Sequence, residues 1–109
     1  MTPLTPLSLH VLLALADEDR HGYAIIKEIG QQTQGKLQPG TGALYTSIQR
    51  LVEERLIEIS HRRPDPEDDA RRRYYRLTTQ GRAALSAETA RLTELVAVAR
   101  KKKVVPRFA

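Results

Sequence analysis

A mainly α chain carrying one small β hairpin, in the order helix, helix, helix, strand, strand, helix, is what the sequence predicts. Three observations predict it. Apolar residues recur at helical spacing in three short segments before residue 55. Two β-prone stretches, "LIEISHR" at 56–62 and "RRRYYRL" at 71–77, bracket "PDPEDDA", whose two prolines and four acids are loop chemistry. A long periodic segment then follows Thr78 and runs to about Lys103.

Each element has its local reason. Thr5-Pro6 starts the first helix, with Thr as N-cap and Pro at the first helical position. Leu4 can pack on Leu9 as a hydrophobic staple, and Leu9, Leu12, Leu13 and Ala16 form the expected buried stripe. "DEDR", residues 17–20, reads as a polar connector. His21-Gly22-Tyr23 opens the second helix. Ile25, Ile26 and Ile29 face inward there, Lys27, Glu28, Gln31 and Gln32 face out, and Gly35 ends it. The third helix begins near Pro39 and buries Leu44, Ile48, Leu51 and Val52. In the first strand Ile57 and Ile59 are expected on one side, Glu58 and Ser60 on the other. Thr78 caps the last helix. Three helices followed by a hairpin is a winged helix-turn-helix. The sequence divides into a winged-helix domain at 1–78, a long C-terminal helix at 79–103 and a tail at 104–109 expected to be mobile.

Composition bounds the function. With 109 residues there is one core of modest size. No cysteine is present, so disulfides and thiolate metal sites are excluded. The apolar start at 7–16 is too short to span a bilayer and lacks a basic flank. A cytoplasmic location is expected, with no membrane partner. The three histidines show no metal-ligand spacing, and His21 reads as a hydrogen bonder that opens its helix. "GTGAL" has two glycines but no lysine after them, so it is no phosphate loop. No nucleophile–base pair stands out, so neither catalytic activity nor a cofactor is expected. Charge is uneven: residues 1–54 hold 4 basic and 6 acidic side chains, while 55–109 hold 14 and 7. A basic half suggests a polyanion as partner.

The outer face of the third helix sharpens this. Thr41, Gly42, Thr46, Ser47, Gln49 and Arg50 are short polar groups with one long cation, where an ordinary solvated face carries Lys and Glu. Such a surface can approach base edges in the major groove, where Gln pairs with adenine and Arg with guanine. Arg62, Arg63, Arg71, Arg72 and Arg73 flank the hairpin loop, and residues 61–76 hold six arginines against four acids. These arginines are expected to meet phosphate or the minor groove of double-stranded DNA. Tyr45, at the edge of the apolar stripe, reads from its position as half-buried and packing on the second helix.

The stretches "LSLHVLLAL", "HGYAIIKEI", "GTGALYTSIQRLVEERLIE" and "RRRYYRLTTQGRAAL" together resemble the PadR family of transcriptional regulators, from residue 7 to about 85. The resemblance implies a homodimeric repressor with no enzymatic activity, whose last helix pairs the subunits, and a phosphate contact for Tyr45. It also raises a small-molecule effector of unidentified chemistry, since some members release DNA on binding phenolic acids or flat aromatic drugs. No Trp and a single Phe, Phe108, leave no aromatic cage for such a drug. Two positions depart from the family pattern: Ala43 stands where Thr is usual, and Arg55 where a Gly often follows the recognition helix. A left-handed Arg55 would cost on the order of 1 kcal/mol. On the last helix Leu85, Leu92, Leu95, Val96 and Ala99 form one stripe, the expected dimer interface. The chain is thus expected to bind a pseudo-palindromic operator through its third helix and wing. The alternative is a winged-helix module that binds protein without DNA.

Overall fold

The computed structural model describes residues 4–61 and 72–106. The chain runs α1 (Pro6–Ala14), β1 (Arg20–His21), α2 (Gly22–Gln32), α3 (Thr41–Glu53), β2 (Ile57–Ser60), β3 (Tyr74–Leu77) and α4 (Thr79–Lys101). It is mainly helical, with a three-stranded antiparallel sheet in the order β1-β3-β2.

Both predicted threonine caps are present. Thr5 Oγ1 accepts from the Ser8 amide at 3.1 Å with Pro6 directly after it, and Thr78 Oγ1 accepts from Gly81 N at 2.9 Å. Each satisfies a backbone donor that the first helical turn leaves without a partner. His21 opens α2 in the same way, its Nδ1 accepting from Ala24 N at 3.2 Å. α3 starts at Thr41 with Gly40 as N-cap, two residues later than the proline suggested.

α1 corrects the expected stripe. Its most buried residues are Val11, Leu12, Ala14 and Leu15, whereas Leu9, Leu13 and Ala16 are only partly buried. The helix is apolar on nearly every side, so periodicity offered no contrast from which to choose a face. Ile25 and Ile29 of α2, Leu44, Ile48 and Leu51 of α3, Ile57, Tyr75 and Leu85 complete one core.

The connector at 17–20 ends in a strand. Arg20 and His21 pair with Tyr75 and Tyr74, and the Arg20 side chain reaches back, Nε donating to the Ala14 carbonyl at 2.8 Å. Two residues are too few to show alternation, so this strand exists only through its partner. The hairpin corrects a second expectation. Ile57 is buried, but Ile59 is 41% exposed because β2 runs past the edge of the core. Ser60, expected outside, is buried and donates to Asp19 at 2.6 Å.

α3 closes with Arg55 at φ 63°, where Arg55 N bonds Val52 O and Leu56 N bonds Leu51 O, both at 3.0 Å. This left-handed closure normally belongs to glycine. Relief of about 1–2 kcal/mol of strain outweighs the roughly 0.5–1 kcal/mol of unfolded-state entropy that glycine adds. Arg55→Gly should therefore stabilise the protein by about 0.5–1 kcal/mol in urea titration. An unchanged or lower midpoint would show that the Arg55 side chain contributes as much as its backbone strain costs.

Candidate nucleic-acid interface

α3 presents one continuous outer stripe. Gly42, Tyr45, Thr46 and Gln49 follow the i, i+3, i+4, i+7 spacing, and all are exposed, as are Thr41 and Arg50. No neighbouring atom would lie within 4 Å of a β-carbon at Gly42, so glycine there keeps the surface low rather than relieving a clash. Ser47 does not belong to this face. It is buried, and its hydroxyl meets that of Ser8 at 3.1 Å, tying α3 to the first turn of α1. Period alone could not separate a small hydroxyl on the boundary from one in solvent.

Tyr45 packs on the second helix, as one of its readings has it. Its ring lies against Gly22, where a β-carbon would sit 2.8 Å from Cζ and overlap the hydroxyl oxygen. Glycine at that position is what lets α2 and α3 approach. The ring is nevertheless 46% exposed, so Tyr45 reaches the surface that α2 and α3 share.

Not every cation faces outward. Arg20 sits among Asp17, Glu18 and Glu28 at 3.0–3.4 Å. Arg76 pairs with Glu58 across the hairpin at 2.6 Å, and Arg82 donates to the Ala16 carbonyl at 3.0 Å. Arg50 lies 3.5 Å from Glu54, one turn along, a pair that any ligand of Arg50 must compete with. Arg72 and Arg73 lead into β3 beside the N-terminus of α2, where Arg72 Nη1 lies 3.2 Å from His21 Nε2. Arg62, Arg63 and Arg71 lie outside the described residues.

An open pocket of about 440 Å³ lies where these elements meet. His21 and Tyr23 enter from the start of α2, Tyr45 from α3, and Arg72, Arg73 and Tyr75 from the β3 side. The His21 and Tyr23 rings stack, centroids 6.5 Å apart, and His21 meets Tyr74 edge-on at 5.2 Å. Burial pushes the Tyr75 hydroxyl above the usual tyrosine range, while the charge and hydrogen bond of Arg73 pull the other way. Tyr75 therefore stays a neutral hydroxyl at physiological pH. His21 and Tyr23 escaped the sequence reading as surface groups. The signal was present: Tyr23 lies outside the Ile25–Ile29 stripe and is 65% exposed.

α4 carries the second candidate surface. Leu85 belongs to the core of its own chain at 7% exposure, so it is not offered to a partner. Beyond it no residue of α4 is buried: Leu92 and Ala99 are partly covered, Leu95 is 56% exposed and Val96 42%. Among the described residues no His, Asp and Glu cluster could hold a metal ion, and no helix is long and apolar enough to cross a membrane.

Comparison with known proteins agrees with this architecture. Residues 11–87 match the Transcriptional regulator PadR-like family. The chain is 37% identical to the transcriptional regulator Rv3488 of Mycobacterium tuberculosis, over 80% of this chain and 76% of that one. A PadR-like transcriptional regulator of Bacillus cereus shares the fold with a TM-score of 0.75 at 18% identity, over 92% of this chain and 93% of the other. PadR of Bacillus subtilis, solved in complex with operator DNA, gives 0.65 at 19% identity, over 78% of this chain and 47% of that one. The core, the exposed stripe of α3 and the pocket beside it all lie within the matched span, and the chain belongs to the PadR-like family of transcriptional regulators, which are not enzymes.

Proposed function

We propose that the protein is a sequence-specific repressor that binds a pseudo-palindromic operator as a homodimer, inserting α3 in the major groove and laying the hairpin on the flanking backbone. The observation that carries this reading is the α3 stripe. Thr41, Gly42, Tyr45, Thr46, Gln49 and Arg50 are all exposed, and the stripe runs through Tyr45 onto Arg72 and Arg73. Polar side chains that donate and accept suit base edges, and the arginines beside them suit phosphate. Arg62, Arg63 and Arg71 extend the same basic stretch in the sequence. Repression follows from occupancy: a dimer seated across a promoter excludes polymerase. The relative solved on operator DNA supports the same reading.

We assign pairing to the exposed half of α4, through Leu92, Leu95, Val96 and Ala99. A two-fold axis between paired helices would set the two α3 helices on half-sites about 34–36 Å apart, one turn of DNA.

The test is a salt titration of binding to DNA from the protein's own upstream region. If the dimer neutralises about four to six phosphates, log K against log salt should fall with a slope of about −4 to −5. A slope near zero, or no saturable binding at low salt, would favour a module that binds protein. Gln49→Ala should relax preference at one base position by about 1–3 kcal/mol. Equal loss on every sequence would place Gln49 on phosphate instead.

A further inference from the structure

We infer that the C-terminal turn of α4 is a second, sequence-independent contact for the phosphate backbone of DNA, separate from α3 and the hairpin. The inference goes beyond the operator reading and does not depend on α3 touching bases.

The charge of the chain is concentrated there. Residues 1–99 hold 13 basic and 13 acidic side chains, so they are neutral in sum. Glu94 is the last acid. Arg100, Lys101, Lys102, Lys103 and Arg107 then supply the whole net charge of +5. Long-range attraction between this chain and a polyanion therefore centres on the end of α4.

The structure holds four of these cations on a closed helix end. Lys103 N bonds the Arg100 carbonyl at 3.0 Å and Val104 N bonds the Ala99 carbonyl at 3.1 Å, with Lys103 at φ 60°. All four side chains are exposed, and among the described residues no acid pairs with any of them. The helix dipole accounts for one or two cations in a last turn. Four together repel one another, and a polyanion relieves that repulsion.

The form of the cluster points to repeating negative charge. Successive helical positions turn by about 100°, so the cations ring the axis rather than line one face. The turn has no aromatic or acceptor side chain with which to read a base or a shaped ligand. A helix lying on a membrane would carry bulky apolar residues beside its lysines, where Ala97, Val98 and Ala99 stand instead. For a transcriptional regulator the phosphate backbone of DNA has the required charge. The contact is also independent of the core. Lys101 lies 16 residues beyond Leu85, hence about 24 Å along the helix. That exceeds the screening length of about 8–10 Å at ordinary salt, so these cations add their own contribution.

The test is binding to a long mixed-sequence duplex, since backbone contacts are independent of sequence. The variant Arg100→Gln/Lys101→Gln/Lys102→Gln/Lys103→Gln removes the charge and keeps good helix formers, so it should melt where the parent does. It should bind this duplex about tenfold more weakly, with a salt slope shallower by about two or more. Its preference for the upstream region over mixed DNA should rise, because only the sequence-independent part is lost. Lys101→Arg/Lys102→Arg/Lys103→Arg keeps the charge and should bind as the parent does. Parent-like affinity and slope in the glutamine variant would overturn the inference and leave the operator reading intact. So would an equal loss in the arginine variant, which would place the effect in the shape of the turn. Vesicles containing phosphatidylserine separate the two polyanions: vesicle binding that the glutamine variant loses while it keeps its duplex affinity would assign the turn to lipid and overturn the inference. A parent that binds mixed DNA through these cations, yet shows no preference for its upstream region, would uphold the inference while autoregulation failed.

Discussion

Leu95→Glu should sediment as a monomer and bind operator at least tenfold more weakly than the unmodified protein. Leu95 is 56% exposed in the single chain, so glutamate there leaves the monomer's core untouched. In the symmetric pair proposed above, Leu95 lies on the paired face of both copies, so the change would bury two carboxylates without counter-charges. Each costs several kcal/mol if it stays ionised, enough to separate subunits at micromolar concentration. Two uncoupled half-site contacts then lose the advantage of joint engagement. Leu92 is a poorer test site, since it is already partly covered by its own chain. A Leu95→Glu protein that remains dimeric with normal affinity would move the interface off this face of α4.

Gly81→Ala should be the most destabilising of these substitutions, by about 3 kcal/mol or more, as forced overpacking against backbone exceeds the usual 1–3. A β-carbon there would sit 2.9 Å from the Leu56 carbonyl carbon and overlap its oxygen. That oxygen cannot move aside freely. It accepts from Thr78 N at 3.1 Å, and the Thr78 hydroxyl lies 2.7 Å from the Arg55 carbonyl. The left-handed end of α3, the cap of α4 and the close approach of Gly81 form one joint. Loss of this joint would free the start of α4 from the core, and Leu85 with it. Thermal unfolding checks the claim, and a midpoint within a degree or two of the parent would show that the joint yields more easily than its geometry implies.

The sequence by itself determined whatever is decided within a few residues. Thr5 and Thr78 had to cap because a β-region hydroxyl just before a helix meets its unpaired amides, whatever lies elsewhere in the chain. The end of α3 was legible where its periodicity stops and an alternating strand begins, while the left-handed backbone of Arg55 was raised only as a condition, from the Gly usual in the family, and was decided by the structure. The outer face of α3 was legible because four exposed positions without Lys or Glu are unusual on a solvated helix. Family-level motifs were legible for the same reason: they are short runs at set spacing.

Tertiary structure alone decided the rest, and each case involves a contact across a long stretch of chain. β1 is a strand only because Tyr74 and Tyr75 lie beside it. Ser47 and Ser60 are buried because Ser8 and Asp19, 39 and 41 residues away, take their hydroxyls. Ile59 is exposed because the core ends before the hairpin does, a matter of where other elements stop. Leu85 and Leu92 share one helical stripe, yet only Leu85 meets the domain, since α4 outruns it. The pocket gathers residues 21–23, 45 and 72–75, none of which marks the others in sequence. Local signals follow from backbone geometry and nearby hydrogen bonds, which the chain carries wherever it goes. Burial and convergence depend on which surfaces remain after packing, and that is settled only when the whole core has closed.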